Sequence, residues 1–245
     1  MKADPAVQRR LLELADVDAE LGRVDHQRRT LPELAEITGA EQAVRAKRDA
    51  QVATDTALAD LDREAKRQEK EIDAVRARGD RDRALLTGGT VSPKQLTDLE
   101  HELETLQRRQ STLEDELLEI MERREAIELD AQHAGVELAK AEEALADATR
   151  RRDETLADLD TTQARRDAER AGLIGGFPEP LLALYERVRR NKGIGAALLR
   201  ARRCGACRLE LDRSAISRIA GSPPDEVVTC EECGAILVRT GESGL

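Results

Sequence analysis

Ser92 to Ile127 reads SPKQLTDLEHELETLQRRQSTLEDELLEIMERREAI, and its apolar residues decide the fold. Leu96, Leu99, Leu103, Leu106, Leu113, Leu117, Ile120 and Ile127 recur in steps of three and four, with Gln110 and Arg124 filling two places of the series. Ala131, Ala134, Leu138, Ala141, Leu145 and Ala148 extend it. Such steps put every one of these residues on one face of an α-helix, and a stripe kept in register over many heptads is the pattern of a coiled coil. The alanines of the later half let a partner helix approach closely. Gln110 and Arg124, polar in an apolar seam, are candidates for fixing register or partner.

Upstream, the partner helix is written in the same rhythm. Val7, Leu11, Leu14, Leu21, Val24 and Leu31 open it, and Val44, Leu58, Leu61, Ala65, Ile72 and Val75 continue it, interrupted at Lys47, Gln51 and Gln68. Asp4-Pro5 reads as an N-cap followed by proline at the first helical position. Pro32 lacks the N–H an interior turn needs, so a kink or short break is expected near Thr30-Leu31-Pro32, with Gly39 loosening the same region. Between the two helices stand Gly88-Gly89. Ser92, Pro93 and Gln95 then compose a capping box, with Val91 and Leu96 placed as its hydrophobic staple. A tight turn between helices of similar length makes them antiparallel neighbours.

Composition agrees with a thin interior. Charged residues are 37% of the 245, aromatics 1%, and there is no Trp, one Phe (Phe177) and one Tyr (Tyr185). No apolar run approaches the roughly 20 residues a bilayer span requires, and Met-Lys-Ala-Asp-Pro is not followed by an apolar signal core. The expectation is a cytoplasmic protein with no membrane partner, in which cysteines stay reduced and serve metals rather than disulfides.

Past Leu159 the heptads fade, and Leu173-Ile174-Gly175-Gly176-Phe177-Pro178 ends the long helix. The expected division is a coiled-coil hairpin over 1–172, turning near 87–92, and a small domain over 173–245. In the latter, Leu181, Leu182, Leu184, Tyr185 and Val188 predict a short helix closing at Gly193. Strands are expected within 194–199, at Val227-Val228 and over 235–238, and a helical turn or two from Asp212 to Ala220.

That small domain carries the chemistry. Cys204-Gly205-Ala206-Cys207 and Cys230-Glu231-Glu232-Cys233-Gly234 are two CxxC knuckles separated by 22 residues. A two-residue gap lets both thiolates of a knuckle face one tetrahedral ion at about 2.3 Å. Cys204, Cys207, Cys230 and Cys233 are therefore the predicted ligands of one structural zinc ion, with Gly205 and Gly234 suited to the tight turns. Four protein ligands leave no open position for water, so the metal is expected to fold the domain rather than to catalyse. Arg202, Arg203 and Arg208 stand close enough in sequence to offset the thiolate charge. Redox-active CxxC pairs and an iron–sulfur cluster are the alternatives.

The net charge is −10, yet Glu186–Arg218 holds ten cations against three anions, +7, which leaves −17 elsewhere. Arg187, Arg189, Arg190, Lys192, Arg200, Arg202, Arg203, Arg208 and Arg213 are candidates for binding an anionic partner, RNA or DNA. The other reading is a solvated face that balances the acidic helices. No aromatic stacking platform accompanies the run, which disfavours sequence-specific reading of single strands. His26, His101 and His133 are scattered and read as exposed bystanders. No nucleophile–base pair and no small-molecule substrate site is visible, so no enzymatic activity is expected.

Several stretches are similar to a bacterial family that joins a coiled-coil hairpin to a C4-type zinc ribbon. Leu11-Leu12-Glu13-Leu14, Val17-Asp18-Ala19-Glu20-Leu21 and Thr30-Leu31-Pro32-Glu33 resemble its opening, and Ser92-Pro93-Lys94-Gln95 its post-turn motif. Leu113-Glu114-Asp115-Glu116-Leu117 resembles its mid-helix motif, while Tyr185, Cys204, Cys207, Cys230, Cys233 and Gly234 fall where its ribbon motif requires. Residues 234–238 read GAILV, where the family often has an arginine and a tyrosine. The resemblance implies a mainly helical, non-enzymatic zinc-binding scaffold that contacts protein, nucleic acid or both. Some relatives are linked to flagellar or secretion systems through a sigma factor, export components or messenger RNA; since these partners differ between lineages, only the architecture and the zinc ligands carry over. Two other functions remain open at this point: a DksA-like transcription factor whose hairpin tip, near Asp80 and Asp82, enters RNA polymerase, and a purely structural coiled-coil oligomer that self-associates.

Overall fold

The computed structural model describes Met1–Gly89 and Ser92–Leu245. Along the chain run α1 (Pro5–Arg29), α2 (Pro32–Thr87), α3 (Pro93–Ile174), α4 (Glu179–Lys192), β1 (Ala196–Arg200), β2 (Arg203–Cys204), α5 (Arg213–Gly221), β3 (Val228–Thr229) and β4 (Ile236–Val238). The chain divides into two compact units, Ala35–Arg150 and a discontinuous one, Met1–Leu34 with Arg151–Leu245. The boundary expected at 172/173 lies inside the second of these.

Ala35–Arg150 is a two-helix hairpin. Among its described residues the buried apolar ones are Val44, Ile72, Leu113, Ile120 and Ala148, and the rest of the seam is half-buried apart from the exposed Leu96 near the turn, as two helices without a third layer must leave it. Ion pairs flank the seam: Arg48–Glu142 at 2.7 Å, Arg124–Asp62 at 2.5 Å and Arg78–Glu102 at 2.7 Å. Partners converge in near-equal steps toward the turn, which is the antiparallel register. The polar seam residues are answered from across the hairpin or along the helix. Lys47 pairs with Glu137 at 3.3 Å, and Gln68 Nε2 donates to the Leu113 carbonyl at 3.1 Å. Gln110 donates to Glu114 at 2.9 Å. Arg124 holds the Asp62 carboxyl below its ordinary range through their hydrogen bond. At the turn Gly89 has φ +68°, and the capping box is formed: Ser92 N–H donates to Gln95 Oε1 at 2.9 Å, and Gln95 N–H to Ser92 Oγ at 3.4 Å. The staple expected of Val91 lies outside the described residues. Gly39 does not loosen the helix, because α2 runs through it unbroken.

The other unit opens with α1, capped by Asp4, whose carboxylate accepts from Ala6 N–H at 2.7 Å. The expected break falls at Thr30-Leu31, and α2 restarts on Pro32, where a missing N–H costs nothing. Four strands form one sheet in the order β2-β1-β4-β3, with β1 and β4 parallel and the other pairs antiparallel. Side chains alternate across it and so feed two cores. Ala196 and Ile236 meet Leu11 and Leu14 of α1, Leu181 and Tyr185 of α4, and Phe177 from the connection before α4. Leu199 and Leu237 meet Leu211, Ala215, Ile219, Cys204 and Cys230 on the opposite face. α5 is fixed there by Asp212, which accepts from Ala215 N–H at 2.7 Å and is held below its ordinary range by that bond. α4 ends on Gly193 at φ +83°.

Candidate metal centre

The first knuckle is delivered by a tight hairpin. β1 and β2 are joined by Ala201 and Arg202 alone, both at positive φ (45° and 62°), the left-handed pair that a type I′ turn demands. Neither is glycine or asparagine, so the turn is strained, and a strap over residues 240–244 holds it. Ala201 N–H donates to the Glu242 carbonyl at 2.8 Å, Arg202 N–H to that of Ser243 at 2.9 Å. The buried Ser243 hydroxyl donates to the Leu199 carbonyl at 2.9 Å.

Beyond the turn the two knuckles repeat one another. Arg208 N–H donates to the Cys204 carbonyl and Gly234 N–H to that of Cys230, each at 2.8 Å. Cys204 N–H donates to the Leu209 carbonyl at 3.0 Å and Cys230 N–H to that of Ala235 at 2.9 Å. The residue after each second cysteine is left-handed: Arg208 at φ +63°, Gly234 at +76°. Gly234 thus serves the turn as expected. Gly205 serves differently: its φ is not positive, but its N–H bonds the Leu198 carbonyl at 2.9 Å, and a Cβ there would stand 2.8 Å from that oxygen. Only glycine lets the knuckle lie this close to β1.

The arrangement brings the sulfurs of Cys204, Cys207, Cys230 and Cys233 within 4.8 Å of one another. Across the knuckles, Cys204 and Cys233 are 3.8 Å apart and Cys207 and Cys230 are 3.9 Å apart. Four sulfurs at about 2.3 Å from a tetrahedral zinc ion stand about 3.8 Å from each other, so the set fits the ion. Backbone amides point at the sulfurs: Ala206 and Cys207 at Cys204, Leu209 at Cys207, Ala235 at Cys233. Burial pushes the Cys204 thiol up to about 12 and raises Cys233, whereas the Leu209 N–H draws Cys207 down. The buried thiols thus give up their protons on coordination, with the amides ready to hold the resulting charge.

The basic run is not gathered into one surface. Arg187, Arg189, Arg190 and Lys192 lie on α4, on the α1 side of the sheet; Arg202, Arg203 and Arg208 surround the first knuckle, and Arg213 opens α5 on the other side. Several are already paired: Arg200 with Glu242 at 3.1 Å, Arg203 with Glu210 at 3.2 Å, Arg218 with Glu231 at 2.5 Å. Arg202 Nε donates to the Gly244 carbonyl at 3.0 Å. Arg187, Arg190, Lys192, Arg208 and Arg213 are exposed and have no ion pair among the described residues. His26, His101 and His133 are exposed. Near the hairpin turn, Asp80 is paired with Arg83 at 2.6 Å.

The sequence pattern gave no sign of a buried charge network beside this centre. Asp18, with a side chain only 3% exposed, accepts from Tyr185 Oη at 2.7 Å and Arg170 Nε at 2.7 Å and forms an ion pair with Arg189 Nε at 3.1 Å, and both arginines also reach Glu186. Burial first, and then the Asp18 carboxylate, push the Tyr185 hydroxyl far above its ordinary range. The apolar series carried no signal of it, because the buried Val17 already fills the step between Leu14 and Leu21. A second residue that sequence reasoning missed is Arg239. It donates to the carbonyls of Ile219, Ser222, Pro223, Pro224 and Glu226 and so ties the segment after α5 to the end of β4. A groove of about 570 Å³ lies between α1 and β1, lined by small residues such as Ala15, Ala19, Gly195 and Ala197. The hydroxyl of Tyr185 and the carboxylate of Asp18 at its edge are bound to each other.

Comparison with known proteins follows this geometry. Residues 14–193 match the CT398-like coiled coil hairpin domain, and residues 203–237 match the C4-type zinc ribbon domain. An uncharacterized protein of Mycobacterium tuberculosis is 46% identical over 248 residues, spanning 98% of each chain, and one of Mycobacterium leprae is 37% identical over 232 residues, spanning 91% of this chain and 96% of the relative. A solved structure from Mycobacterium smegmatis is 42% identical, covers 98% of this chain and 100% of its own, and superposes with a TM-score of 0.87. The structure of CT398 from Chlamydia trachomatis shares the fold at 17% identity, with a TM-score of 0.67 over 95% of this chain and 97% of that one. These matches indicate no enzymatic family. Among the described residues, no helix is long and apolar enough to cross a membrane.

Proposed function

Because the chain belongs to the family of the CT398-like coiled coil hairpin domain, here joined to a C4-type zinc ribbon, we propose that it is a non-enzymatic adaptor of the cytoplasm. In this reading Cys204, Cys207, Cys230 and Cys233 hold one structural zinc ion, and hairpin and ribbon each offer a surface to a macromolecule. The observation that carries it is the convergence of four sulfurs at tetrahedral spacing. A metal so enclosed has no position for water or substrate, and its role is to hold β1, β4 and α5 together. The polar groups nearest a concave surface, Asp18 and Tyr185, are engaged with each other and with two arginines, which supports a positioning role over a chemical one.

The unpaired cations, Arg187, Arg190 and Lys192 on α4 and Arg208 and Arg213 on the other side of the sheet, offer two separate places for an anionic partner to make contact. Such contact releases counterions, so affinity for RNA or duplex DNA falls steeply as salt rises, while a protein partner held by apolar contact is far less sensitive. The test is capture on the immobilised intact protein and on its Cys230→Ser variant, with bound RNA sequenced and bound proteins identified. Selective retention by the intact protein alone, repeated across salt concentrations, supports an adaptor with a zinc-dependent surface. Equal capture by both proteins, or none, removes it.

A further inference from the structure

The hairpin carries a second apolar stripe that no part of its own seam uses. Leu118, Met121, Leu129 and Val136 are 59%, 53%, 62% and 54% exposed. At about 100° per residue, Met121, Leu129 and Val136 lie about 60°, 20° and 0° from Leu118 around the α3 axis, whereas the seam residues Leu113, Ile120 and Ile127 lie about 180–220° away. Leu118, Leu129 and Val136 therefore face away from α2, and Met121 lies between them and the seam position Leu117. Leu118 and Val136 are five turns apart, about 27 Å, the footprint of a helix of about 20 residues. Isolated exposed hydrophobes are ordinary; three on one line, flanked by Met121, on a helix whose other face is already paired are not. At its Leu118 end the stripe borders a groove of about 450 Å³ lined by Ile72, Leu117, Glu69, Asp73 and the ion-paired Arg76 and Glu114.

Charge identifies the occupant. Beside the stripe stand Asp115, Glu119, Glu122 and Glu125, and neither they nor Glu69 and Asp73 have an ion pair among the described residues. A second copy presenting the same stretch of α3 would bring no free cation to answer them. Its cations between Asp115 and Lys140 are Arg123, Arg124 and Lys140, and each is already paired, with Glu64, Asp62 and Glu137 respectively. A helix with leucine-like side chains on one face and lysines or arginines along both flanks satisfies stripe and carboxylates together. Met121 gives the surface the pliancy that suits a helix-binding face.

We propose that Leu118, Met121, Leu129 and Val136 form the docking face for a basic amphipathic helix of a partner protein. The inference deepens the adaptor reading and rests on it for its biological sense, but it is tested apart from the ribbon. The probe is a fluorescein-labelled synthetic peptide of about 20 residues, with leucines at helical spacing and lysines on both flanks. It is titrated into the intact zinc-loaded protein beside a scrambled peptide of equal composition and a twin with Glu for each Lys. The basic amphipathic peptide is expected to bind, the scrambled and acidic ones to bind about tenfold more weakly or not at all. Leu118→Gln with Leu129→Gln should weaken binding about tenfold at unchanged helicity and zinc content. Glu122→Gln with Glu125→Gln should flatten its salt dependence. Equal binding of all three peptides, or indifference to Leu118→Gln with Leu129→Gln, overturns the proposal. So does a concentration-dependent dimer in sedimentation that this substitution abolishes, since the occupant is then a second copy. Failure here with zinc-dependent capture intact sinks the docking face alone; failure of capture with peptide binding intact sinks the ribbon's share of the adaptor reading.

Discussion

The two compact units have similar lengths but distribute their stability in opposite ways. Among the described residues 28 apolar ones are buried, five in Ala35–Arg150 and the other 23 in the unit formed by Met1–Leu34 and Arg151–Leu245. The hairpin unit repeats one modest contact many times, with ion pairs on its flanks that are worth little individually. The other unit concentrates its stability in a few irreplaceable groups: four sulfurs, one buried carboxylate and one arginine spanning five carbonyls. Damage to the first should stay local, whereas damage to the second should spread.

Metal removal is the strongest way to test this contrast. A strong chelator, or Cys204→Ser, is expected to abolish amide-exchange protection in β1, β4 and α5, because structural zinc sites of this kind contribute about 10–16 kcal/mol of apparent folding free energy. The helical signal from residues 35–150 should survive, and metal analysis of the purified protein should find about one zinc per chain. Unaltered protection in β1 and β4 after chelation, or melting of the hairpin together with the ribbon, would break the comparison.

Asp18→Ala comes next. It leaves the half-buried Arg170 and Arg189 with Glu186 as their remaining carboxylate and Tyr185 without its acceptor, at an expected cost of about 3 kcal/mol, the low end for one partner of a buried ion pair. Tyr185 is the sole tyrosine and there is no tryptophan, so intrinsic fluorescence follows this unit alone during denaturant unfolding. Asp18→Asn, which still accepts from the tyrosine, should fall between. If the exposed neighbour Asp16→Ala shifts the midpoint as much, the network is incidental.

What was readable in the sequence follows the same division. Repetition is legible: the three-and-four stepping of Leu96 to Ile127, the proline at 32 and the SPKQ capping box reported the hairpin, because each is a local consequence of helix geometry. The cysteines were legible because metal geometry fixes their spacing. Asp18 was not, since its meaning depends on Arg170 and Arg189, which are more than 150 positions away. The basic run read as one surface because sequence places its members side by side, while the fold divides them between two faces of a sheet and pairs several. The outward stripe at Leu118 to Val136 was not legible either, because its members are spaced three, eight and seven residues apart and are masked by the denser three-and-four stepping of the seam. Leu113→Ala sharpens the point: the legible unit should lose only about 2–3 kcal/mol, near the low end for a buried leucine, since a half-open seam can close over the gap. Exchange should quicken around Ile72 and Leu113 and stay unchanged at the knuckles.

The smallest effect expected has the opposite sign. The two knuckles repeat one another bond for bond, yet the left-handed position after the second cysteine is Gly234 in one and Arg208 in the other. A left-handed conformation costs a residue with a Cβ about 1 kcal/mol that glycine does not incur. Arg208 is exposed and has no ion pair among the described residues to offset that cost. Arg208→Gly should therefore stabilise the zinc-loaded ribbon by somewhat less than about 1 kcal/mol, because glycine also gains freedom in the unfolded chain. The expected readout is a small rise in the thermal midpoint at unchanged zinc content. If it also weakens nucleic-acid capture, Arg208 is retained for its charge at a measurable cost in stability; a lowered midpoint would show that the arginine side chain stabilises the knuckle through contacts of its own.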